Sequence, residues 1–221
     1  MKFIKLYIWW IFGFITLLTA IIFKNCNELI YDISLGLFVS IIFYIINIEL
    51  PDKRHKKFVI QQFELSQSAC YYLYAFIYFI ENPSDDYKTQ NYEDFSKKML
   101  NYFYTPYIED YSLKNYFIDS IKNSIWYKGA VKGAYFTEYL DLSLIAKDNE
   151  KLFYALRNFS VESRLALVEE NINAFYSFSN ILLKFPKQIN SKDKFSVKDL
   201  DLARKAAIKY NEEQTIFYAE Y

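Results

Sequence analysis

Glycine and proline are scarce in this chain: its 221 residues include four of each, two cysteines and a single histidine, His55. So few backbone breakers argue against a strand-and-turn architecture and for long helices. One histidine also excludes much chemistry. A Ser-His or Cys-His mechanism must use His55 or none. Cys70 lies 15 positions further along the same expected helix, about 22 Å away at 1.5 Å per residue, so the two form no dyad in one subunit. Carboxylate-bridged di-iron bundles need two Glu-x-x-His elements, which a lone histidine forbids. No histidine follows an arginine at the spacing of the Arg-x(4–6)-His helical ribonucleases, and there is no Walker loop, dinucleotide fingerprint or zinc spacing. Asp52-x-x-His55 offers two metal ligands but has no partner cluster. No metal, no cofactor and no catalytic residue is expected, and the protein reads as a non-enzyme.

Charge of one sign is missing as well. Lys plus Arg equals Asp plus Glu at 26 each, and from Phe58 onward acidic residues exceed basic ones by three. A weakly acidic domain without a basic stripe is a poor nucleic-acid binder, so no nucleic acid is expected as a partner. Adjacent acids occur at Asp85-Asp86, Glu109-Asp110, Glu169-Glu170 and Glu212-Glu213. Neighbours on a helix point about 100° apart, so none is a facing acid/base pair by itself, and they read as solvated faces and first-turn charges.

What the chain has is apolar length. Leu6 to Phe23 and Leu29 to Leu50 are apolar stretches separated by Lys24, Asn25, Cys26, Asn27 and Glu28 alone. A bilayer core needs roughly 20 apolar helical residues. The first stretch barely reaches that and the second meets it, so a transmembrane hairpin is expected. Lys2 and Lys5 precede it, and Lys53, Arg54, Lys56 and Lys57 form a basic cluster at its exit. Basic flanks mark the cytoplasmic side, which puts both termini there and the tip across the membrane. A cleaved signal peptide fits less well, because no small-x-small pattern precedes Cys26 and a second span follows at once. In this topology Cys26 and Cys70 lie on opposite sides of the bilayer, and no disulfide framework is expected.

The fold class expected is therefore all-α: residues 1–52 as a two-helix transmembrane hairpin and residues 53–221 as a cytoplasmic helical bundle. Pro51 is read as ending the second span, with a helix from Arg54 to Glu81 beginning at the membrane surface. Ile60, Phe63, Cys70, Leu73, Ile77 and Ile80 form its apolar stripe. Residues 70–80 are apolar or aromatic all round. They number about a dozen and follow a polar run, so they fit a core helix better than a third span. Further helices are expected at Tyr92–Tyr104, about Asp110–Trp126, Tyr139–Ala146 and Glu150–Phe159, the last capped by Asp148 or Asn149. A longer helix is expected from a Ser160 cap to Pro186. A last one follows a Ser196 cap, with Leu200, Ala203, Ala207, Tyr210 and Phe217 facing inward.

Three constellations are candidate sites. Lys128-Gly-Ala-Val-Lys-Gly133 is expected to break the helical pattern. A Gly-rich turn holding Lys128, Gly129, Lys132 and Gly133 can offer backbone N–H groups and charge to an anion, though a plain turn between helices fits too. In the second span Asp32, Gly36, Ser40, Tyr44 and Asn47 recur every three or four residues, and Gly13, Thr16 and Ala20 make a comparable stripe in the first. Small and hydroxyl residues let transmembrane helices approach. Such stripes serve packing within the hairpin or in a homo-oligomer, or line a hydrated path in a ring of copies. Tyr71, Tyr74 and Tyr78 share one helix face, a composition suited to a protein partner or to an aromatic core.

The run Val39-Ser-Ile-Ile-Phe-Tyr-Ile-Ile-Asn-Ile-Glu-Leu-Pro-Asp-Lys-Arg-His-Lys-Lys57 resembles a pattern of uncharacterised bacterial two-pass inner-membrane proteins. In these a Ser/Ile/Phe/Tyr-rich helix ends at a Pro-acid-basic cluster before a helical cytoplasmic domain. The resemblance implies topology and location in the bacterial cell membrane, and carries no activity. The function expected is a membrane protein whose cytoplasmic domain binds an unidentified protein or senses a signal. The alternatives are an oligomeric ligand-gated effector or pore of the stress or phage-defence kind and, further off, a membrane enzyme acting on a lipid or phosphate compound.

Overall fold

In the computed structural model, residues 2–25, 27–85, 92–104, 121–185 and 197–219 are described, and they are all-α. The chain divides into two compact units, Met1–Phe58 and Val59–Tyr221.

The first unit is a helical hairpin. α1 (Lys2–Phe23) and α2 (Glu28–Tyr44) are joined by a short turn in which the Asn27 side chain accepts from the Ile30 N–H and caps α2. Trp9 meets Tyr44 with ring centroids 5.1 Å apart, and Gly13 lies under Ile41 and Phe38, so the helices run antiparallel. Among the described residues one helix, Glu28–Glu81, is long and apolar enough to cross a membrane, while the apolar part of α1, Ile8–Phe23, is shorter.

Pro51 does not end a helix. A π-helical turn, Ile45–Glu49, joins α2 directly to α3 (Leu50–Glu81), which starts before the expected Arg54. Proline in a helix interior lacks the N–H for an i→i−4 bond, and its ring collides with the carbonyl four residues back. Here the turn before it is already wide, since the Leu50 N–H reaches back five residues to the Ile45 carbonyl. Such a bulge offers the room that the ring needs.

In the second unit α3 is the central helix. Every residue from Cys70 to Phe79 except Tyr72 is buried, which makes this run a core helix and not a span. Around it lie α4 (Tyr92–Tyr104), α5 (Ile125–Glu138), α6 (Ser143–Asp148), α7 (Glu150–Ser163), α8 (Ile172–Lys184) and α9 (Val197–Ala219). Aromatic side chains join them. Tyr74 stacks on Phe175 of α8 at 4.8 Å and meets Phe103 of α4 edge-on at 5.0 Å. Phe63 meets Phe159 of α7, Tyr72 meets Trp126 of α5, and Phe76 meets Tyr210 of α9. Offset and edge-on ring pairs add about 0.5–1.5 kcal/mol each beyond their buried area.

Four local expectations change. Lys128–Gly133 is not a break, since α5 runs straight through it from a Ser124 cap. The helix expected to end at Trp126 is interrupted by the turn at 122–124, and residues 110–120 lie outside the described ones. The helix at Tyr139–Ala146 begins only at Ser143. Ser160 caps nothing; it is buried within α7, which passes into a second π turn, Arg164–Val168. The chain then turns at Glu170, in the left-handed region at φ 53°, and Asn171 caps α8. Asn149 is the cap of α7. Phe185 leaves α8 extended, as a residue before proline must. α9 begins at Val197 with Leu200, Ala203 and Ala207 buried and Tyr210 half-buried; Ser196 and the side chain of Phe217 lie outside the described residues, as does Cys26.

Candidate functional site

In the hairpin, Gly13 and Ala20 are buried and Thr16 is half-buried, so the α1 stripe is the packing face. It meets Phe38 and Ile41, which share an edge of the second helix with buried Ser34 and Ile45. The other stripe does not join it. Asp32, Gly36, Ser40 and Asn47 are exposed, and only Tyr44 turns partly inward, onto Trp9. The polar side chains are satisfied locally: Thr16 Oγ1 donates to the Gly13 carbonyl, Ser40 Oγ to Gly36 and Asn47 Nδ2 to Phe43. Lys53, Arg54, Lys56 and Lys57 lie in the first turns of α3, Arg54 and Lys57 exposed and Lys53 paired with Glu49 at 3.5 Å.

The Lys128–Gly133 segment is helical, so its backbone N–H groups do not form an anion cradle. Lys128, Gly129 and Lys132 are exposed on α5. Gly133 faces α3 instead, and a Cβ there would come 2.7 Å from Ser66 Oγ and 3.1 Å from Ser66 Cα. Glycine at this position permits the close approach of two helices.

The tyrosine face is also turned inward. Tyr71, Tyr74 and Tyr78 are all buried. The Tyr71 hydroxyl donates to Ser96 Oγ, Tyr74 to the Phe175 carbonyl and Tyr78 to Asp85 Oδ2. These three residues build a core with every hydroxyl bonded, and of them Tyr78 borders an open cleft.

A polar grouping forms where α3 ends. Tyr78, Asn82, Ser84, Asp85, Lys98, Asn101 and Tyr102 line an open cleft of about 570 Å³. Lys98 Nζ reaches both Asp85 oxygens, at 2.8 and 2.9 Å, and Tyr102 donates to Glu81. From α9, Asn211 Nδ2 donates to the Ile80 carbonyl at 3.0 Å and Arg204 donates to Pro83. Carbonyls left open at a helix end are thereby satisfied. Burial raises the Tyr78 hydroxyl, and its hydrogen bond to Asp85 raises it further. Tyr102 is pushed up to about 12 by burial and then by Glu81. Both phenols stay protonated as donors, and the carboxylates they bond to are already engaged. Such a cleft can hold a polar ligand at its rim but brings no base to a nucleophile.

Cys70, the remaining nucleophile considered, is buried, and burial pushes its thiol up to about 12. That removes the thiolate that reactivity requires. Among the described residues no cluster of three His, Cys, Asp or Glu could hold a metal ion. The Asp85–Lys98 cluster has no local signature in the sequence. Its partners stand 13 residues apart on different elements, and only the acidic pair at 85–86 hinted at it. No protein-family model, curated protein or solved structure matches the chain.

Proposed function

We propose that this is a non-enzymatic two-pass membrane protein, held in a bacterial cell membrane by the α1–α2 hairpin, whose helical unit binds a partner protein or senses a signal. The observation that carries this reading is the outer surface of the hairpin. Trp10, Ile11, Phe14, Ile21 and Ile22 on one helix and Leu29, Leu37, Phe43 and Ile46 on the other are exposed, an apolar belt of a kind that soluble surfaces rarely leave in water. The basic residues before α1 and at the start of α3 support cytoplasmic termini. A binding role is supported by the open polar cleft at the end of α3. Membranes washed with alkaline carbonate should retain the chain, and crosslinking in intact cells should recover a specific cytoplasmic partner. Release by carbonate refutes the anchor, and self-crosslinks alone refute the partner.

The exposed Gly36–Ser40 edge supports a second reading, an oligomeric effector whose copies meet or line a path along that edge. Replacing Ser40 or Gly36 by Leu should then abolish the oligomer, or a permeability change, while the hairpin still folds, because that edge does not face α1. For an enzyme acting on a lipid or phosphate compound, the expected turn at Lys128–Gly133 gives no support because it is helical, which leaves only the scattered acid pairs.

A further inference from the structure

Beyond its first turn, the helix α5 is built inside out. Its first turn packs Tyr127 and part of Trp126 against the core, the Tyr127 hydroxyl donating to the Leu167 carbonyl, but from there on the buried face is small: Ala130, Ala134 and Thr137 are fully packed and Gly133 lies against Ser66. Its outer face carries the bulk: Ile125 is 78% exposed and Tyr139 81%, with Tyr135 and Phe136 each nearly half exposed. At 3.6 residues per turn, Ile125, Lys128, Lys132, Tyr135 and Phe136 fall within an arc of roughly 100°, and Tyr139 follows them at the C-cap. Neither lysine has an ion-pair partner among the described residues. The acid nearest in sequence, Glu138, is engaged by Arg164 at 3.1 Å, so it does not cancel them. An amphipathic helix that served only the core would turn its large apolar residues inward.

We propose that this outer face of α5 contacts a lipid surface and recognises anionic phospholipid headgroups. The proposal rests on the membrane reading above. Tyrosine and phenylalanine at the headgroup level and lysine stems reaching the phosphates are the chemistry of an interfacial helix. A chain held in a bilayer meets such a surface at high effective concentration. A second copy is a poorer occupant, because a two-fold contact would set the same lysines against one another.

The test uses the full chain with Cys26→Ser and Tyr139→Cys, an environment-sensitive dye on the new cysteine, and nanodiscs containing headgroup-quencher lipid. Discs of phosphatidylcholine are compared with discs containing phosphatidylglycerol as well. Quenching should appear with phosphatidylglycerol and fall in high salt. In the exposed double variant Lys128→Glu/Lys132→Glu the bound-to-free ratio should drop about 25-fold or more, since each lysine near an anionic surface counts for roughly a factor of five. Equal quenching in neutral discs, insensitive to the variant, overturns headgroup recognition. Absent quenching with the hairpin still disc-bound overturns the lipid contact and assigns the face to a protein. If carbonate extraction shows that the hairpin is not a membrane anchor, the same labelled chain is floated with phosphatidylglycerol vesicles. Binding that the double variant abolishes then upholds the face alone, and no binding overturns it.

Discussion

Gly129 and Gly133 sit one turn apart in α5, and the same substitution at each should act with opposite sign. Both are helical with negative φ, so alanine is conformationally allowed and removes a backbone-entropy penalty of about 0.5–1 kcal/mol. At Gly129 a Cβ meets nothing within 4 Å, and Gly129→Ala should be stabilising by that amount. At Gly133 the new carbon lies 2.7 Å from Ser66 Oγ and 3.1 Å from both Ser66 Cα and Cβ. The hydroxyl can rotate away, but the Cα belongs to the central helix and yields only if α3 and α5 separate. Overpacking of this kind costs about 1–3 kcal/mol, which outweighs the propensity gain and leaves Gly133→Ala destabilised by roughly 1–2 kcal/mol. Thermal melting of the detergent-solubilised chain, followed by circular dichroism, should place the two variants on opposite sides of the wild type. For a unit of this size each kcal/mol moves the midpoint by about 2–4 °C. Ser66→Ala in the Gly133→Ala background should recover part of the loss, because the shortest contact disappears while the one to Cα remains. If Gly133→Ala melts at or above Gly129→Ala, the close approach of α3 and α5 is wrong.

Tyr74→Phe keeps the stack on Phe175 but removes the second hydrogen bond to its carbonyl, which retains its donor within α8; denaturant unfolding should show a loss of about 0.5–1.5 kcal/mol. Tyr102 holds its proton more tightly folded, at about 12, than unfolded, at about 10. Its contribution is therefore complete below about pH 10 and is lost as the pH rises toward 12. Unfolding midpoints measured across that window should fall, and Tyr102→Phe should fall less steeply. Cys70, fully buried with its thiol raised to about 12, should resist maleimide at neutral pH in a Cys26→Ser background and react at once in denaturant.

Much of the helical skeleton can be read from spacing. The Cys70–Phe79 core run, the Tyr92–Tyr104 helix, the Asn149 cap and the inner face at Leu200, Ala203 and Ala207 all follow from apolar periodicity and capping chemistry. The failures are residues whose local preference is overruled by a partner distant in sequence or by a backbone feature that composition does not show. Gly129 and Gly133 read as a turn because glycine costs helix stability, yet Ser66 explains why Gly133 sits in one. Pro51 reads as a stop, and the bulge that admits it has no composition of its own. Ser160 has the side chain of a cap, but it is buried, and the real break is made by a non-glycine residue, Glu170, at positive φ. The tyrosine face could equally have been core or surface, and only the acceptors Ser96, Phe175 and Asp85 decide it.

The side chains of Thr16, Thr19, Ser40 and Asn47 each give a hydrogen to a carbonyl of their own helix. The machinery that releases a nascent segment sideways into lipid responds to what the segment displays, and a hydroxyl spent on its own backbone displays little. Residue-by-residue hydropathy therefore overstates the polarity of these two helices. In the membrane reading proposed above, their partitioning during synthesis would follow the bonded side chain, and the hairpin would enter lipid as a more oily object than its letters suggest. The same four groups can later exchange an internal acceptor for an external one with almost no change in the number of bonds.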